Sequence, residues 1–189
     1  MSNWFVALPF AGELPRRLAP PPGVRWLDAR DLHLTVAFLG PCGEARALRA
    51  WNAVVAELAR DSCAPVTVSF GSVGAMGSPR RFSALAARIE VGRDGLRALL
   101  GRVAPAALAA AELPPDPREP EPHLTIARLS RSAGRRERDE ALEWAGDLDL
   151  SGVRASFDAL ELWTSAEAGA DRRYRSLARL QLARGTPPA

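Results

Sequence analysis

Two stretches, "DLHLTVAFLG" at 31–40 and "EPHLTIARLS" at 121–130, hold the only histidines of the chain, His33 and His123, and each histidine is followed by Leu, Thr and a β-branched residue. With five threonines in the sequence, the chance that both histidines carry a Thr two places on is about one in a thousand, and a repeat that improbable is read before any other pattern. Strand side chains alternate between faces. In each copy the His and Thr therefore share one face, while Leu34, Val36 and Phe38, or Leu124 and Ile126, share the other. Each motif is a polar pair backed by an apolar surface.

The flanking sequence supplies a frame for the pair. "NWFVALPF" (3–10) predicts a first strand ended by Pro9, and "VRWLDARD" (24–31) leads through a polar bend into the first motif, which Gly40 and Pro41 close. From Gly43 to Arg60 the period changes: Leu48, Trp51, Val54, Val55 and Leu58 fall at helical spacing. "PVTVSFGSVG" (65–74) and "RRFSALAARIEV" (80–91) read as two strands joined through "AMGSP", and "DGLRALLGRVAPAALAAAEL" (94–113) as a second helix bent at Pro105. "PPDPREPEP" (114–122) is too proline-rich for regular structure and delivers the chain to His123 as a stiff extended lead-in. After the second motif come a charged helix (134–146), the strands "FDALELWTS" (157–165) and "YRSLARLQL" (174–182), and a tail, "RGTPPA" (184–189), expected to fray. A motif strand, a helix and a strand pair thus occur twice. The order predicts an internally duplicated α+β fold, with the N-terminal strand completing one sheet and residues 1–189 forming one two-lobed domain.

Composition bounds the function. The net charge is +3 and every one of the 25 basic residues is arginine, whose planar fork matches phosphate oxygens. Cys42 and Cys63 form no CxxC pair and have too few histidine companions for a zinc site, so they read as small buried residues in a reducing compartment. No stretch approaches the roughly 20 apolar residues that span a bilayer, and the N-terminus lacks a basic leader. A cytoplasmic protein without metal or cofactor is expected.

Two imidazoles facing one cleft are suited to acid–base work, since one can be neutral and take a proton while the other is charged and gives one. Splitting a P–O bond uses both at once: water is deprotonated on one side of phosphorus as the leaving alkoxide is protonated on the other. Hydroxyls of Thr35 and Thr125 can hydrogen-bond the equatorial oxygens as charge builds there. Other chemistries lack their signatures: there is no GxSxG elbow, no GxxxxGK[ST] loop and no GxGxxG turn.

The paired "HLTV" and "HLTI" resemble the HxTx motifs of the two-histidine phosphoesterase superfamily. Together with "FVALPF", "PHLTIAR" and "YRSLARLQL" they are similar in order and spacing to its RNA 2′,3′-cyclic phosphodiesterase branch, also called 2′-5′ RNA ligase-like proteins. The resemblance covers nearly the whole chain. It implies a bilobal α+β fold in which two antiparallel sheets face each other across a central cleft with helices outside. The implied activity is hydrolysis of RNA 2′,3′-cyclic phosphate ends to 2′-phosphates; the expected substrates are RNA or oligonucleotide ends, with small cyclic nucleotides as the alternative, and a monomer without membrane attachment is expected. By the same resemblance His33 is the acid that protonates the leaving 3′ oxygen and His123 the base that activates water. Arg128 matches an arginine suited to holding phosphate, and Tyr174 a tyrosine that borders the cleft. Simple alternation puts Arg128 on the face of Leu124, so its role in the cleft requires a bulge or a strand end; otherwise it makes a structural ion pair. Phe10 and Trp163 are further candidates, for stacking on a base. The acidic "REPEP" segment departs from the family and sets negative charge beside His123. Reversible 2′-5′ ligation would use the same residues, and a nucleotide- or RNA-binding module would keep the fold without turnover.

Overall fold

Strand β1 (Trp4–Pro9) is apolar on both sides because both sides are covered: Trp4, Val6 and Leu8 enter the main core, while Phe5 and Ala7 join a small aromatic cluster on the other face. In the computed structural model, which describes residues 2–78 and 81–183, β1 lies inside a four-stranded sheet of order β3-β1-β8-β9, with β3 at His33–Gly40, β8 at Ala159–Ser165 and β9 at Tyr174–Gln181. A five-stranded sheet of order β2-β6-β5-β4-β7 holds the second motif. Its strands are β2 (Val24–Trp26), β4 (Val66–Ala75), β5 (Ala84–Val91), β6 (His123–Leu129) and β7 (Arg154–Phe157). Every pairing in both sheets is antiparallel, which bears out the expected fold class.

The strand pair that follows each motif's helix joins the sheet of the other motif. After α1 (Glu44–Arg60), β4 and β5 enter the sheet of His123; after α3 (Arg135–Gly146), β8 and β9 enter the sheet of His33. The lobes are therefore not consecutive halves of the chain. β3 and β6 pack against each other where the sheets meet, and α2 (Arg93–Ala110) packs on β3 and against α1. One apolar cluster runs through both sheets and the helices, taking in Val6, Leu34, Leu124, Ile126, Trp51, Leu96 and Val103. This shared core sets the two motif strands on common ground.

Several local expectations are refined. In α1 the buried stripe is Ala47, Ala50, Trp51, Val54 and Leu58, while Leu48 lies off it and is exposed. Helix α2 continues through Pro105. It starts after Gly92, which holds φ +79° and where a Cβ would lie 2.3 Å from the Thr67 carbonyl oxygen, so only glycine fits that corner. The "FDALELWTS" run is two elements: Phe157 ends β7, which pairs with β4, and the sheet changes before β8 begins. Cys42 and Cys63 are half-buried free thiols rather than buried ones. Among the described residues no helix is long and apolar enough to cross a membrane. The predicted C-terminal tail, 184–189, and part of the turn between β4 and β5, 79–80, lie outside the described residues.

Candidate active site

Both motif strands carry the same irregularity. β1 pairs Ala7 with Thr35 and Val6 with Ala37, which leaves Val36 without a partner; β5 pairs Ala86 with Thr125 and Leu85 with Ala127, which leaves Ile126 without one. A bulge at this point turns the next side chains by half a pleat. Val36 and Ala37 both enter the core, as do Ile126 and Ala127, and the residues that return to the polar face are Phe38 and Arg128. Alternation placed Phe38 with Leu34 and Val36; the bulge instead leaves it 59% exposed on the face of His33 and Thr35. The same bulge brings Arg128 to the face of His123 and Thr125. No ion pair of Arg128 is formed among the described residues, and its Nε is buried without a hydrogen-bond partner. Arg128 and His123 both lie within electrostatic reach of His33. With β3 packed on β6, His33 thus shares one electrostatic neighbourhood with His123 and Arg128, and Thr35 and Thr125 lie beside the histidines on their own strands.

The two imidazoles are held alike. Nδ1 of His33 lies 2.7 Å from the Asp31 carbonyl oxygen, and Nδ1 of His123 lies 2.8 Å from the Glu121 carbonyl oxygen. A carbonyl only accepts, so in each case Nδ1–H donates and Nε2 is left as the atom that gains or loses a proton. Their surroundings differ. His33 is packed by Phe5, stacked at 4.9 Å between ring centroids, by Trp163 at 5.0 Å and by Tyr174 edge-on at 5.3 Å. Burial among these rings is the main force that pushes its pKa down to about 4, with Arg128 and His123 adding to it against the pull of the Asp31 contacts. In the free protein at neutral pH, His33 is a neutral imidazole.

Asp31, which the sequence reading passed over, ties this arrangement together. Asp31 is 1% exposed and its carboxylate accepts hydrogen bonds from the backbone N–H of Arg173 (3.0 Å) and of Tyr174 (3.3 Å), pinning the start of β9 to the turn that leads into the strand carrying His33. Arg30, its neighbour in the 3-10 turn Ala29–Asp31, binds Asp171 of the same loop at 2.6 Å. Phe5 was also missed, although its alternation with Trp4 and Val6 in "NWFVAL" marks it as facing away from the helices. The two stacking candidates are both buried. Phe10 is 5% exposed and packs edge-on against Phe70 in the core; Trp163 is 2% exposed beneath His33, its indole N–H donating to Glu161. Neither offers a face to a base. The acidic lead-in to His123 is neutralised locally: Glu121 binds Arg93 at 2.7 Å and Arg97 at 3.1 Å, and the Arg93 bond holds its carboxyl below the usual range.

The depressed pKa of His33 gives a signed prediction. Unfolded histidine titrates near 6.5, so between pH 6.5 and 4 the unfolded chain takes up a proton that the native state refuses, and stability falls as pH falls through that window. An NMR titration should place the His33 midpoint near pH 4, and Arg128→Gln should raise it, because a positive neighbour is removed. A wild-type midpoint at the ordinary histidine value would contradict this description of the site.

A model of the 2′-5′ RNA ligase superfamily matches residues 12–169, and the chain belongs to that superfamily of phosphoesterases and ligases. The fold matches E. coli LigT complexed with 3′-AMP at 21% identity and a TM-score of 0.66, covering 97% of this chain and 99% of that one. It also matches E. coli LigT complexed with NADP+ at 21% identity and 0.66 (97% and 98% covered) and the protein TT0787 of Thermus thermophilus at 22% and 0.66 (95% and 97% covered). Comparison with curated proteins finds no match.

Proposed function

We propose that this protein opens RNA 2′,3′-cyclic phosphate ends to 2′-phosphates by two-histidine acid–base catalysis. The observation that carries the reading is the matched pair of histidines, each with Nδ1 tied to the carbonyl two residues back and Nε2 free to exchange a proton. His123 Nε2 takes a proton from water as its oxygen attacks phosphorus. The bond from phosphorus to the 3′ oxygen breaks, and His33 Nε2–H delivers the proton that this oxygen needs. Thr35, Thr125 and Arg128 hold the non-bridging oxygens, where charge accumulates, and Tyr174 keeps the His33 ring in place. The neutral state of His33 in the free protein has a purpose in this scheme. The incoming phosphodiester anion offsets the charge of Arg128 and supplies a counter-ion, and both effects favour the protonated ring against the burial that keeps it neutral in the free protein. That LigT was crystallised with 3′-AMP and NADP+ supports a site of nucleotide size.

The test is an oligoribonucleotide with a 2′,3′-cyclic phosphate end, incubated with the protein in EDTA, the product being assigned by phosphorus NMR. A 2′-phosphate formed at undiminished rate is expected. A 3′-phosphate product would reverse the oxygen assignment, and a strict metal requirement would sink the mechanism.

A further inference from the structure

Strand β2 is the edge strand beside β6, and its three residues pair Arg25 directly with Arg128. Paired residues of an antiparallel ladder point to the same face. The neighbours of Arg25 confirm which face this is: Val24 is buried in the core and Trp26 packs edge-on against Trp144, so Arg25 projects to the side of His123, Thr125 and Arg128. Two like charges directly opposite each other destabilise a strand pair unless something neutralises them. Among the described residues no carboxylate does so: Arg25 and Arg128 make no ion pair, and the Nε of Arg128 is buried with its donor unused. Of the other arginines on this face, Arg88 pairs with His123 from β5 and has the charge of Glu121 nearby, and Arg154 lies on β7 at the opposite edge of the sheet. Beside the motif strand β6, the uncompensated positive charge therefore lies on the β2 side.

We infer that Arg25, acting beside Arg128, binds a second phosphate of the substrate: the internucleotide phosphate that joins the terminal nucleoside to the rest of the RNA. The inference rests on the cyclic phosphodiesterase reading and extends it from chemistry to substrate length. Arg128 lies at most about 10 Å along β6 from Thr125, three residues at strand rise, so an arginine one strand further out stands where the chain leaves the reacting group. Among the described residues no strand lies beyond this edge, which leaves it open to the departing RNA. The preferred substrate is then an oligonucleotide end rather than a cyclic mononucleotide, and Arg25 sets that preference.

The experiment compares a nucleoside 2′,3′-cyclic phosphate, which has no second phosphate, with a dinucleotide ending in the same group, for the wild type, Arg25→Gln and Arg25→Lys. The dinucleotide should be the better substrate of the wild type. Arg25→Gln should cost the dinucleotide about tenfold more in kcat/KM than the mononucleotide, through KM, and lower the salt dependence of the dinucleotide by about one phosphate contact. Arg25→Lys, which keeps the charge, should recover part of the loss. Equal losses on both substrates, or none on either, would overturn the inference while leaving the phosphodiesterase reading intact. If the wild type turned over neither substrate, that reading would fail. Calorimetry with a dinucleotide 2′-phosphate and a nucleoside 2′-phosphate would still decide the role of Arg25, since the dinucleotide's affinity advantage must vanish in Arg25→Gln.

Discussion

Replacing either His33 or His123 is expected to lower kcat by about 10²- to 10⁴-fold, and replacing both should cost little more than replacing one. The two proton transfers belong to one event at phosphorus, so losing one partner removes most of what the other contributes. The measurement needs care at His33, whose ring is enclosed by Phe5, Trp163 and Tyr174. His33→Ala opens a cavity there, whereas His33→Gln keeps more of the volume and an amide that can donate to the Asp31 carbonyl. His123→Ala carries less of this burden, since the described residues place no aromatic ring against it. If His33→Gln folds with wild-type stability and still loses at least about 10²-fold, the loss belongs to proton transfer. Undiminished turnover of the double variant would remove both histidines from the mechanism.

Most of the strands, the helices and the repeated histidine motif were legible in the sequence because each is encoded locally, by a period or by a repeated word; the short strands β2, within a stretch that reads as a bend, and β7 were not. The bulges were not read, yet they leave a trace: in "HLTVAFL" and "HLTIARL" the apolar residues common to both fall at the first, third, fourth and sixth places after histidine, a step that strict alternation does not produce. Reading that step as a bulge would have placed Phe38 and Arg128 correctly. The exchange of strand pairs between the sheets leaves no such trace, since periodicity specifies that a segment is a strand and which face is apolar, not which strand lies beside it. Asp31 was hidden for a different reason. A carboxylate between Arg30 and Leu32 reads as a solvated turn residue, and only the arrival of Arg173 and Tyr174 from the far end of the chain makes it a buried one.

Asp31→Ala is accordingly expected to destabilise the protein by about 2–3 kcal/mol, because the backbone N–H groups of Arg173 and Tyr174 lose their acceptor in a partly buried position. The loss should reach activity as well. Tyr174 packs edge-on against His33 and Phe5, so loosening the start of β9 frees the His33 ring while its Nδ1 bond to the carbonyl of residue 31 persists. That surviving bond limits the fall in kcat to about tenfold, well short of removing the histidine itself. Asp31→Asn separates the two contributions: its side-chain oxygen still accepts from the backbone, and its destabilisation should be roughly half that of alanine. Denaturant unfolding gives the stabilities and single-turnover kinetics the chemical step. An Asp31→Ala variant within about 0.5 kcal/mol of the wild type would show that water replaces the carboxylate without cost. The clamp between the two ends of the chain would then have no part in holding the candidate acid.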